Sequence, residues 1–148
     1  MNRLLVLFLI FLIPHALWAK IEWANQHRFI LAKDEPALIW VFNAKDDDAI
    51  PNEEFRFSWT LFDTKQLVLH TRFRDFPSQY ILTLERGRKT MRQELIPDPV
   101  DRINGNVYVL LEFVEFNDEE KLATIDAFIQ DRNGRIEVEF EDPKKRED

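Results

Sequence analysis

The clearest pattern in the chain is a repeat of two. Phe55, Phe57, Trp59 and Leu61 alternate with Arg56, Ser58 and Thr60, which puts four large apolar side chains on one face of a strand and the polar ones on the other. A second strand carries Leu67, Leu69 and Phe73 on one side and His70 and Arg72 on the other, and Asp63-Thr64-Lys65-Gln66 between the two reads as a hairpin loop. Tyr80, Leu82 and Leu84 then alternate with Ile81, Thr83 and Glu85. Gly87 marks a turn into a strand from Thr90 to Ile96, which Pro97 and Pro99 end. The loop running on to Asn104-Gly105-Asn106 splits the strands into two groups that are each too short to be a separate domain.

Val107 to Phe116 is apolar on both faces, with Val107, Val109, Leu111 and Phe113 on one and Tyr108, Leu110, Val114 and Phe116 on the other. It is expected to be a central strand, or one whose outer face is covered. Leu122 to Ile129 fits a strand through Ile125, Ala127 and Ile129, and also a helix stripe through Leu122, Ile125, Phe128 and Ile129. The strand is preferred, because Ile136 to Phe140 stands just beyond the turn Asp131-Arg132-Asn133-Gly134 as a hairpin partner. Glu137, Glu139 and Glu141 would form that partner's acidic outer row.

Upstream, Ile21-Glu22-Trp23 and Phe29-Ile30-Leu31 make one or two strands, and Ala37 to Phe42 makes a nearly continuous apolar one. Eight or nine strands with short turns and no convincing helix predict an all-β fold, an antiparallel β-sandwich of immunoglobulin-like architecture. The likeness is one of architecture and carries no function. The main rival is a closed outer-membrane barrel, which needs an apolar lipid-facing row on nearly every strand. The glutamates alternating through Ile136 to Phe140 argue against it.

The N-terminus has a different grammar. Met1-Asn2-Arg3 is a short positive start, Leu4 to Ile13 is unbroken apolar sequence, and Ala16-Leu17-Trp18-Ala19 ends in a small residue. This is the order of a secretory signal peptide, so residues 1–19 are expected to be removed and Lys20 to begin the mature chain. Pro14 and His15 interrupt the apolar run short of the roughly 20 residues a bilayer span requires; no stable membrane span is expected after processing. The expected organisation is a signal peptide at 1–19, a β-sandwich domain at 20–142 and a flexible charged tail at 143–148, in a periplasmic or secreted location.

Composition supports a packed domain: 148 residues, 45% hydrophobic, with 13 Phe and 4 Trp against 3 Gly. There is no Cys, which excludes disulfides, thiolate metal sites and cysteine nucleophiles together. Residues 1–19 hold Arg3 and no acid, so the remainder has 19 bases against 27 acids, a net charge of −8. Nucleic acid is a poor partner for such a chain.

The inventory for catalysis is thin. Beyond the leader the chain has only Ser58, Ser78, His27 and His70 for nucleophile and base chemistry, with no Gly-x-Ser-x-Gly or His-Glu-x-x-His arrangement to join them. Gly87, Gly105 and Gly134 stand alone, so no phosphate-cradling loop exists in the sequence. Neither an enzyme nor a cofactor is expected. No metal is expected either, although Asp46, Asp47, Asp48, Glu53 and Glu54 offer hard oxygen ligands for a loosely held Ca²⁺.

One reversal of charge points to a surface. Arg72, Arg74, Arg86, Arg88, Lys89 and Arg92 face only Asp75 and Glu85 between positions 72 and 92, a local +4, whereas Glu112 to Asp142 is −8. If the alternating arginines share one sheet face, they could hold an envelope protein, an anionic glycan or a lipid headgroup. The function expected from the sequence is therefore a small exported, non-catalytic binding protein for another envelope macromolecule, working through that face or through a sheet edge. A carrier of an apolar ligand held between the sheets, or a carboxylate hydrolase of an envelope polymer, is the alternative.

Overall fold

A computed structural model describes residues 22–44, 52–96 and 105–143. The expected signal peptide at 1–19, the acidic residues Asp46 to Asp48, the prolines at 97 and 99 and the end of the expected tail at 144–148 lie outside the described residues. Among the described residues there are nine strands: β1 (Asn25–Ala32), β2 (Ala37–Asn43), β3 (Glu53–Asp63), β4 (Gln66–Phe73), β5 (Phe76–Thr83), β6 (Thr90–Ile96), β7 (Val107–Asn117), β8 (Leu122–Gln130) and β9 (Ile136–Glu141). They form two antiparallel sheets, one in the order β1-β8-β7-β6 and the other β5-β4-β3-β2-β9. Every strand contributes buried apolar side chains to a single core between them.

The alternation that predicts each strand also selects its buried face. Phe55, Phe57 and Trp59 of β3, Leu67 and Leu69 of β4, and Val107, Val109, Leu111 and Phe113 of β7 are all buried. The β3–β4 hairpin closes through Thr64 and Lys65, with φ of 45° and 64°. Arg74 and Asp75 close β4–β5 in the same way, at 50° and 64°, the left-handed pair that a two-residue hairpin of the right twist requires.

Two bulges reverse the expected facing. Pairing of β3 with β4 skips Thr60, and pairing of β7 with β8 skips Val114; each extra residue turns the rest of its strand over. Leu61, expected inside, is consequently 56% exposed. Phe62 and Phe116 turn inward instead, stacking at 3.8 Å between centroids with 18° between planes. Trp59 meets Phe116 edge-on at 5.5 Å, and its indole N–H donates to the Leu31 carbonyl at 2.8 Å, a buried bond. The bulges thus put three aromatic rings where the two sheets meet.

Three further expectations change. Trp23 precedes the first strand and packs on Phe128 and Tyr108, covering part of the outer side of β7 and β8. The stretch Ile136 to Phe140 is a strand, but it is not the hairpin partner of β8. Both sides of β8 are taken by β1 and β7, so the chain crosses over and β9 pairs with β2. The Asp131 carboxylate, itself buried, accepts from the Ile136 N–H at 3.0 Å and the Asn133 N–H at 3.3 Å and so fixes the crossing. Finally, β6 pairs with β7 across the proline loop, so the sheets do not divide where the sequence suggests.

Candidate functional site

The six bases expected to form one face occupy three places. Arg72 and Arg74 stand where β4 turns into β5. Arg86, Arg88 and Lys89 lie in the loop after β5, one strand length away, roughly 25 Å for eight residues. Arg92 is on β6 in the other sheet, its guanidinium 3.8 Å over the Tyr108 ring.

At the first place lies a cavity of about 340 Å³ lined by Glu53, Glu54, Arg56, Arg72, Arg74 and Asp75. Arg56 and Arg72 are directly opposed across β3 and β4, an arrangement that costs energy unless each charge is compensated. Glu54 compensates Arg56 at 2.8 Å, and Asp75 compensates Arg72 at 2.6 Å. Arg74 donates to Glu53 at 2.9 Å and to the Leu95 carbonyl at 3.3 Å, so it ties β3 to β6 across the open end of the sandwich. Three cations meet three anions and the groove is neutral. Glu53 and Glu54, offered by the sequence as cation ligands, are occupied by arginines.

The second place keeps its charge. Lys65 pairs with Glu85, and the Arg88 side chain donates to the Thr90 carbonyl at 3.0 Å, lying 5.8 Å from the Tyr80 ring. Arg86 and Lys89 are exposed and have no ion-pair partner among the described residues.

The two histidines among the described residues, His27 and His70, are on different sheets. His27 stacks on Phe140 at 5.0 Å, its Nε2 3.2 Å from both carboxylate oxygens of Asp142; this closes the β1–β9 side of the sandwich. His70 Nε2 is 3.0 Å from the Thr60 hydroxyl. Among the described residues, no three His, Asp or Glu side chains come together to hold a metal ion. Across β1 and β8, Asp126 binds Arg28 through two bonds of 2.7 and 2.8 Å. The hydrogen bond first, and the carboxylate charge next, hold the guanidinium pKa above its ordinary value.

A feature that side-chain patterning cannot reveal is the edge of β5, which no other strand pairs among the described residues. The Thr83 N–H donates to the Arg88 carbonyl at 2.9 Å, away from β4, and the Leu84 N–H donates to Lys65 at 3.0 Å, towards it. Backbone groups alternate direction along an antiparallel strand. Gln79 and Ile81 therefore aim N–H and C=O at the edge, as Thr83 does, while Pro77 supplies only a carbonyl. No residue of β5 is charged, and Phe76 and Ile81 are 77% and 53% exposed. Ile81 pairs with Val68 and Val68 with Leu61, forming an apolar row across the outer side of three strands. The opposite edge strand, β9, has Glu137, Glu139 and Glu141 in its outer row, a common guard against unwanted pairing.

No family model matches the chain, and no curated protein or solved structure matches it.

Proposed function

We propose that this chain is a small exported, non-catalytic β-sandwich of immunoglobulin-like architecture that binds an extended segment of another envelope protein along its β5 edge. The observation that carries the reading is the contrast between the two edges of the five-stranded sheet. β5 offers backbone groups at Gln79 and Ile81 that no strand pairs among the described residues, beside exposed apolar side chains, whereas β9 is lined with glutamate. Strand addition draws affinity from main-chain bonds and selectivity from the alternate side chains of the added segment. Here the segment would place an apolar residue next to Ile81 and the row behind it. An acidic residue at its end would meet Arg86, Arg88 and Lys89. The neutral groove at Arg72 and Arg74 contributes to the fold more than to recognition.

The test is a crosslinking pull-down from the native envelope with two sets of variants. Gln79→Pro and Ile81→Lys remove an edge N–H or place a charge on the edge without touching a bond to β4, and partner recovery is expected to fall to background. Arg72→Glu is expected to leave recovery near the unmodified level. Full recovery with both edge variants, or loss with Arg72→Glu alone, overturns the reading.

A further inference from the structure

We infer that the β5 edge is matched to a second copy of this chain, and that two copies pair β5 to β5 in a two-fold antiparallel dimer centred on Gln79. The inference rests on the reading of β5 as an open edge and names its resting occupant.

The argument is one of register. The open part of the edge runs from Pro77 to Ile81. Beyond it the Arg88 carbonyl already occupies the position opposite Thr83, so an added strand must stop opposite Leu82. Before it, the chain turns away through Arg74 and Asp75. The open stretch is thus five residues with Gln79 at its middle, which is the requirement for pairing with itself about a two-fold axis.

In that register Gln79 exchanges two main-chain bonds with Gln79 of the second copy. Each Ile81 N–H donates to the carbonyl of Pro77 of the second copy, which needs no N–H for the purpose. Four bonds form, and the missing donor of Pro77 leaves only two carbonyls open to water. The side chains fit the same register. Ile81 lies against Pro77 of the second copy on the outer face, and Phe76 lies opposite Leu82 of the second copy on the inner one. Both strongly exposed apolar side chains of β5 are then covered.

The ends are complementary in charge. Antiparallel pairing brings Asp75, whose side chain is 89% exposed, beside Arg88 of the second copy. The uncharged strands between them meet without like-charge repulsion. Self-pairing would therefore mask the edge until a tighter segment displaces it.

The absence of Cys allows a direct test. At the two-fold centre of a hydrogen-bonded pair the Cα atoms are about 5.5 Å apart, inside the range of roughly 4.4–6.8 Å that a disulfide accepts. The full chain carrying Gln79→Cys, oxidised with glutathione disulfide, is expected to become a linked dimer. Ile81→Cys alone is expected to stay monomeric on a denaturing gel, because its two copies would be more than about 12 Å apart, whereas a mixture of the Ile81→Cys and Pro77→Cys chains links. The unmodified chain should sediment at twice its monomer mass, and Gln79→Pro or Ile81→Lys at one. A monomeric unmodified chain, or Gln79→Cys and Ile81→Cys linking equally well, overturns the inference. If that happens while the edge variants still lose the envelope partner, the dimer fails and the binding edge stands; a dimer with partner recovery unaffected by the edge variants is the reverse.

Discussion

Single side chains join the two sheets, and they do so with polar atoms placed inside apolar surroundings. Trp59 is the clearest case, because its indole N–H satisfies the Leu31 carbonyl in the core. Trp59→Phe should keep most of the packing, leave that carbonyl unpaired, and cost about 1–3 kcal/mol in denaturant unfolding. Asp131→Ala should cost a similar amount, about 1–3 kcal/mol, since two backbone donors at the β8–β9 crossing lose their acceptor. The arginines differ by position. Arg74→Ala removes a bridge between sheets and should cost about 1 kcal/mol, whereas Arg72→Ala, which breaks an exposed pair, should change stability by less than about 0.5 kcal/mol. For Arg28 the raised pKa sets the sign: its pairing with Asp126 stabilises fully below the unfolded guanidinium value and is lost only as pH rises through the higher folded one. Alkaline titration to about pH 10 should leave that contribution intact.

At the scale of elements, the strands were legible because side-chain periodicity reports a strand and its buried face at once. Thr90–Ile96 and Val107 onward start and end where apolar alternation and proline place them. The hairpin turn at Arg74 and Asp75 was not legible, since neither residue carries the Asn-Gly chemistry that usually marks two left-handed positions. The bulges at Thr60 and Val114 were hidden for a related reason: an inserted residue changes the facing of Leu61 and Phe116 without changing the hydrophobicity of the run. Ile136–Phe140 could be read as a strand but not assigned its neighbour, because β2 lies about a hundred residues earlier and no local pattern encodes that pairing. The basic segment illustrates the same limit. Arg72 and Arg88 are close in sequence, yet a full strand separates them, and Glu53 and Glu54 reach the groove from a different part of the chain. Deleting Thr60 should remove the bulge and leave Leu61 outside and Phe62 on its stack with Phe116, because Trp59, Leu61 and Phe62 then alternate in the pairing already present. A loss of only about 1 kcal/mol in unfolding free energy is expected, from the missing Thr60–His70 contact, with the near-ultraviolet circular dichroism of the aromatic stack retained; loss of that signal would contradict the assignment of Thr60 as the extra residue.

For the whole molecule, two sheets share one apolar core without a covalent cross-link, and packing, with a few hydrogen bonds such as those of Trp59 and Arg74, holds them. The core takes eight of the eleven phenylalanines among the described residues, and the large apolar side chains left strongly exposed are Ile30, Leu61, Phe76 and Ile81. Three of the four belong to the β3–β4–β5 side of the larger sheet, and Ile30 lies on β1 of the other. The expectation of export belongs to this scale too: expressed with its leader in its own cell, the chain should be recovered outside the cytoplasm with Lys20 as its first residue, which N-terminal sequencing reads directly.

Amide hydrogen exchange along β5, followed residue by residue in dilute solution where copies do not pair, tests the open edge most directly. Tyr80 and Leu82, bonded to β4, should exchange slowly, while Gln79 and Ile81 between and beside them exchange fast, an alternation that disappears when the edge is filled. Uniform protection across Gln79 to Leu82 at high dilution, or uniform rapid exchange, would contradict the account.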